Sequence, residues 1–193
     1  QALIVGRADV SIENKDRHTA LICAVIAGNL EMVQVLLDAG ADINIENSVK
    51  ATPLIYAVKM KNLEMIKVLV NRGANLNTQN TSGDSHLISA VKSGNLEITD
   101  ALLAAGAAID LPDKDGQTAL ILAVKEGNPK IVEKLIAAGA LVDLKDSDGD
   151  TPLSRAIKSD KNKMIKVLLK DGENINHQDC VGDTPLTKSV KEG

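Results

Sequence analysis

Aromatic side chains are almost missing from this chain: its 193 residues include one Tyr and neither Phe nor Trp. Any core must therefore be built from aliphatic residues and Ala. There is no excess of positive charge. Lys and Arg number 22 against 26 Asp and Glu, a formal charge of −4, which gives no whole-molecule attraction to nucleic acid or an anionic membrane. Long apolar runs are absent too. Even with Gly counted as apolar, stretches such as Ala101 to Ile109 reach only nine residues, about half of a membrane span. The opening, Gln1 to Arg7, has neither a basic leader nor an apolar stretch of signal-peptide length and does not begin with Met. Further sequence is expected upstream. What the chain does have, 44% hydrophobic and 25% charged residues, suits a soluble folded protein and argues against disorder.

The dominant feature is a fixed period. A Thr/Ser-x-Leu phrase begins at Thr19, Thr52, Ser85, Thr118, Thr151 and Thr184, always 33 residues apart. Leu21, Leu54, Leu87, Leu120, Leu153 and Leu186 recur in one column, and Leu3, Leu36, Leu69, Leu102, Leu135 and Leu168 in another. Columns that repeat without fail are packing columns. The units are five full repeats, 19–51, 52–84, 85–117, 118–150 and 151–183, flanked by partial ones at 1–18 and 184–193. They form one domain over 1–193.

Within a unit the spacing predicts two short helices and an extended loop. Thr52 is a suitable N-cap, with Pro53 at the first helical position, where a missing N–H costs nothing. Leu54, Ala57 and Val58 then share one face. Asn62 caps a second helix whose inward side chains are Met65, Ile66, Leu69 and Val70, and Gly73 stops it. A phrase such as Ala41-Asp42-Ile43-Asn44 follows, then a turn rich in Asp, Asn and Gly, as in Asp146 to Asp150. That turn is expected to project as a hairpin-like finger.

This pattern resembles the ankyrin repeat family, whose unit has 33 residues, a β-turn, two helices and a T-P-L-H-x-A motif. Thr52-Pro53-Leu54-Ile55-Tyr56-Ala57 and Thr151-Pro152-Leu153-Ser154-Arg155-Ala156 carry the motif, and Gly40 to Asn44 matches the loop phrase. The resemblance spans the whole chain and implies an all-α repeat solenoid, an ankyrin-repeat stack of helix-turn-helix units with projecting β-hairpin-like fingers. Two departures carry expectations. The motif's His is replaced by Ile22, Ile55, Ile88, Ile121, Ser154 and Thr187, so a polar bridge from helix to loop is lost and apolar packing takes its place in the first four copies. Arg17 and Lys50 stand where later fingers have Gly83, Gly116, Gly149 and Gly182, so those two tips are expected to turn differently.

Stability should be close to a sum of unit and neighbour terms. The fifth unit replaces the interhelix Gly-Asn by Asp160-Lys161, puts Asn162 at a helix start and has Glu173 where other copies have Ala, so that end is expected to open first. Neither end, from Leu3 and Ile4 at the start to Gly193, forms a polar cap, and the expectation is a segment of a longer array or larger protein.

Enzyme constellations are not found. His18, His86 and His177 fall in different columns with no partner at i+3 or i+4, so no metal-binding helix results, and they read as solvated or capping residues. Every Gly cluster is explained by a helix end or a turn, and no phosphate loop, nucleophile elbow or dinucleotide fingerprint occurs. No catalytic, metal or cofactor residue is assigned. Cys23 and Cys180 lie about five units apart in a stack spaced by roughly 10 Å, which excludes a bridge between them. Unpaired cysteines favour a reducing, cytoplasmic setting. Asn80-Thr81-Ser82 is a formal glycosylation sequon.

Charge is organised by column. Lys59, Lys92, Lys125, Lys158 and Lys191 should stack into a ridge on the concave face made by fingers and first helices. Opposed to it are acidic fingers with Asp113, Asp115, Asp146, Asp148, Asp150, Asp179 and Asp183. Either the lysines neutralise their own fingers, or they steer an acidic partner segment into a groove. Tyr56, Met60 and Arg155 are the best anchors, since aromatic, Met and Arg side chains are enriched in interface cores. The candidate protein-binding set is thus Tyr56, Lys59, Met60, Lys92, Lys125, Arg155, Lys158, Asp113, Asp115, Asp146 and Asp148. As the resemblance implies, the function is a non-catalytic module binding a partner protein, acting as a monomer. The alternative is a targeting or substrate-positioning segment of a larger enzyme or secreted bacterial effector, the latter acting in host cytoplasm. Nucleic-acid binding through the lysines is disfavoured by the neighbouring Asp residues. The family also implies a possible hydroxylation of loop asparagines, for which Asn44 and Asn77 match the position, Asn176 less cleanly.

Overall fold

The computed structural model describes residues 9–170, 176, 182–184, 186, 187 and 190. The expectations for Leu3, Ile4, Glu173, His177, Asp179, Cys180, Lys191 and Gly193 lie outside the described residues. Ten helices occur in five pairs among the described residues: α1 (Ala20–Ile26) with α2 (Leu30–Asp38), α3 (Pro53–Lys59) with α4 (Leu63–Asn71), α5 (His86–Lys92) with α6 (Leu96–Ala104), α7 (Ala119–Glu126) with α8 (Pro129–Ala137), and α9 (Pro152–Lys158) with α10 (Asn162–Lys170). No strand occurs among these residues.

Caps set the helix boundaries. The side chains of Thr52, Ser85, Thr118 and Thr151 accept hydrogen bonds from the backbone N–H groups of Ile55, Ile88, Ile121 and Ser154. Asn29, Asn62, Asn95 and Asn128 do the same for the second helices α2, α4, α6 and α8. Each such cap contributes about 1 kcal/mol, because it satisfies an N–H with no partner inside the helix. Helix ends are turned by left-handed residues, Gly40, Gly73, Gly106 and Gly139 among them.

The repeating leucines form the core, as their invariance between copies predicts. Leu21, Leu54, Leu87, Leu120 and Leu153 are at most 1% exposed, and Leu69, Leu102, Leu135 and Leu168 are fully buried. First helices stack side by side, α1 on α3 on α5 on α7 on α9, and the substantial contacts between helices fall within a unit or between adjacent units. This is the one-dimensional packing of a solenoid. Second helices approach one another less closely than first helices, so the stack bends toward the first-helix side.

Two expectations are corrected. The first two finger tips do not turn differently. Arg17 (φ 58°) and Lys50 (φ 55°) adopt the left-handed conformation of Gly83 (φ 80°) and Gly116 (φ 72°), and all five described fingers close alike. In finger two Asn47 N–H donates to Ala51 O (3.1 Å) and Lys50 N–H to Asn47 O (3.0 Å), and in finger four Asp113 N–H donates to Gln117 O (3.0 Å) and Gly116 N–H to Asp113 O (3.1 Å). The closure is imposed by an Asn or Asp side chain at the turn's start. Asn14, Asn47, Asn80, Asp113 and Asp146 each use Oδ1 to accept from the N–H groups two and four residues on. This bracket holds the left-handed residue in place even without Gly.

The second correction concerns His86, which is fully buried rather than solvated. Its Nδ1 lies 2.7 Å from Leu76 O and its Nε2 3.1 Å from Thr52 Oγ1. A carbonyl can only accept, so Nδ1 carries the proton and Nε2 accepts from the Thr52 hydroxyl. The helix-to-loop bridge expected to be lost is therefore rebuilt in the third unit from a neighbouring column.

Candidate functional site

Fingers and first helices present one continuous face, and its exposed positions follow from helix geometry. On α3 the residues Leu54, Ile55, Ala57 and Val58 turn inward and are buried. Tyr56, Lys59 and Met60, at i, i+3 and i+4, are left on the outer side together. Met60 is 53% exposed. Tyr56 is half-buried, and its hydroxyl lies 3.0 Å from His18 Nε2 and 2.8 Å from Asn47 Nδ2. The His18 and Tyr56 rings meet edge to face at 5.4 Å and 78°. One unit earlier, α1 contributes the exposed Cys23 and Ile26 in the same two columns.

The lysine column is uneven. Lys92 Nζ is 2.6 Å from Asp84 Oδ1 and 3.7 Å from Asp113 Oδ2. Lys158 Nζ is 2.6 Å from Asp150 Oδ2. Lys125 donates to the neutral Gln117 Oε1 at 3.2 Å. Each partner stands eight residues before its lysine, in the column Ala51, Asp84, Gln117, Asp150. Lys59 meets Ala51 there, which offers no acceptor, and it has no ion pair among the described residues. The lysines and acidic fingers of the later units thus neutralise one another locally.

Charge is most concentrated in the fifth unit. Arg155 Nη2 reaches Asp146 Oδ2 at 2.6 Å and Asp148 Oδ2 at 2.5 Å, and its Nε is 3.4 Å from Asp150 Oδ2. The Asp146 and Asp150 side chains are 1% and 0% exposed. Partial burial of Arg155 works against its charge, but the hydrogen bonds to Asp146 and Asp148 and the field of Asp146 and Asp150 outweigh it and raise its pKa further. The three carboxylates converge within 4.8 Å, near enough to hold a cation. Arg155 and Lys158 already supply the positive charge, so the cluster reads as a salt-locked finger. Asp113 and Asp146 are buried at the turn brackets, while Asp115 and Asp148 are exposed. Asp115 O accepts from Ser147 N–H (2.9 Å) and so ties finger four to finger five.

Several structural residues were missed by sequence reasoning. His86 lies outside the motif's His column, and only its register against Thr52 could have revealed it. Lys161, read as a defect, donates to Val124 O at 3.1 Å and to Lys125 O, capping the end of α7 from the next unit. The loop asparagines have a mechanical role as well: Asn44 Oδ1 accepts from Asn75 N–H and Asn77 Oδ1 from Ala108 N–H, both at 2.8 Å.

Stacked helix pairs of constant length, joined by bracketed fingers and offering an open face rather than a closed cavity, define a helical repeat solenoid of the binding-scaffold kind. The sequence matches the family model described as ankyrin repeats (3 copies) over residues 1–80 and 87–179. The chain belongs to the ankyrin repeat family. Members of that family generally serve as protein–protein interaction modules, and the fold is typically non-catalytic. No curated protein matches the chain. Among the described residues no helix is long and apolar enough to cross a membrane.

Proposed function

We propose that this chain is a non-catalytic interaction module that binds a partner protein, as a monomer inside a cell, through the face formed by its fingers and first helices. One observation carries the reading: this face displays side chains that do nothing for the stack. Tyr56, Lys59 and Met60 project from a helix whose other side chains already fill the core. Such a face adds a pre-shaped surface to a partner at little cost in ordering. Lys92, Lys125, Arg155 and Lys158, with Asp113, Asp115, Asp146 and Asp148, shape the potential over the later units and contribute more to exclusion of wrong partners than to attraction. Proximity labelling from the tagged full chain in its source cells, repeated with a Tyr56→Ala/Met60→Ser variant, tests the reading. Specific partners lost with the variant are expected. A set of neighbours that is identical for both proteins would overturn the assignment of this face.

A further inference from the structure

The lysine column contains its own internal comparison. Along it, Lys92 and Lys158 are occupied by Asp84 and Asp150, and Lys125 rests on Gln117. An incoming carboxylate would have to displace an existing partner at Lys92 or Lys158. At Lys59, with Ala51 in the partner column, it displaces only water.

Apolar exposure is concentrated in the same place. The column of Met60 reads Ser93, Glu126 and Ser159 in the later units, and the column of Ile26 holds lysines thereafter. Met60 and Ile26 are 53% and 37% exposed, so the first two units carry greasy side chains where the others carry polar ones. Between them Tyr56 is held edge-on by His18 and tethered through its hydroxyl to His18 and Asn47. A ring already fixed loses little freedom when a partner covers it, and Tyr and Met are the side chains over-represented where partners bury surface.

From this juxtaposition of an uncompensated cation with an exposed apolar strip we infer that Cys23, Ile26, Tyr56, Lys59 and Met60 dock a peptide segment of a partner protein in which an acidic residue flanks a large apolar side chain. The apolar side chain covers Ile26 and Met60 against the Tyr56 ring, and the carboxylate pairs with Lys59. The inference rests on the protein-binding reading above and narrows it to one end of the face and one partner chemistry. A nucleic acid fits poorly, since a phosphate backbone needs several open cations in register and the next lysine along is already bound to carboxylates.

The test uses the full chain and a library of random peptides displayed on phage. Enriched peptides should share an Asp or Glu beside Leu, Ile, Met or an aromatic residue. For a synthetic copy of one such peptide, Lys59→Glu should weaken binding by about tenfold, Met60→Ser should weaken it as well, and Lys158→Glu should leave it unchanged. Replacing the peptide's acidic residue by Lys should restore binding to the Lys59→Glu variant. Circular dichroism of each variant confirms folding, and Lys59→Gln provides a milder change at the same position. Peptides that bind but respond to substitutions on α7 and α9 instead of Lys59 would leave the protein-binding reading standing and overturn this one. Enriched peptides lacking the acidic and apolar pattern would do the same. Failure to enrich any peptide would count against both.

Discussion

Acid should unfold this protein through His86 earlier than carboxylate titration alone would. The imidazole is fully buried between two units, and burial, opposed only in part by the bond to Leu76 O, lowers its pKa from 6.5 to about 4. A base whose folded pKa is depressed binds its proton more readily when unfolded. Its contribution to stability is therefore complete above pH 6.5 and is lost as pH falls from 6.5 toward 4. Linkage between those two values amounts to about 3 kcal/mol in full, of which roughly 2 kcal/mol disappears between pH 7 and pH 5. The assay is urea unfolding followed by far-UV circular dichroism at both pH values, on the parent chain and on His86→Gln, which keeps a donor and an acceptor. The variant will be less stable at pH 7, but the comparison uses each protein's own change with pH. A midpoint that drops clearly between pH 7 and 5 for the parent and much less for the variant is expected, with the steepness of the transition preserved. Equal drops would refute the argument, because every group except His86 is common to both.

Arg155→Ala should cost about 2–4 kcal/mol, since it leaves the buried Asp146 and Asp150 carboxylates short of a cation, and thermal denaturation should show the loss diminishing at acid pH, where those groups protonate. Gly83→Ala should destabilise more than Gly73→Ala. Both residues have positive φ, but a Cβ at Gly83 would stand 2.6 Å from Lys114 N while one at Gly73 meets nothing within 4 Å, and the strain of the left-handed conformation alone is about 1–2 kcal/mol. Asn128→Ala should lower stability by about 1 kcal/mol through loss of the α8 cap, measured by chemical denaturation. Hydrogen exchange should show α10 opening before α8, because Lys161 replaces the capping Asn, and α10 exchanging more slowly than α8 would contradict the reading of the fifth unit.

The architecture was legible because it is written many times over. A leucine recurring every 33 residues states its burial once per unit, and the Thr and Asn caps mark each helix start by local chemistry that needs no tertiary knowledge. What escaped was set between units. His86 acquires meaning only from Thr52 and Leu76 in the preceding repeat, and Lys161 only from the carbonyls that end α7. The finger tips at Arg17 and Lys50 were misjudged for a related reason: preference for Gly at positive φ is real, but the Asn side chain three residues earlier overrides it. The lysine ridge was visible as a column, whereas its division into bound and open members required the register of the facing column, Ala51, Asp84, Gln117 and Asp150.

The bracket that closes every finger uses a single side-chain oxygen, and Asn and Asp supply that oxygen equally well: the three fingers begun by Asn14, Asn47 and Asn80 and the two begun by Asp113 and Asp146 share one turn. Electrostatic character is consequently separable from shape in this array. A lineage, or a designer, can recolour the tips from neutral to negative one at a time while the scaffold underneath stays as it was, so selectivity for new binding mates is open to change by isosteric replacement, without remaking the fold.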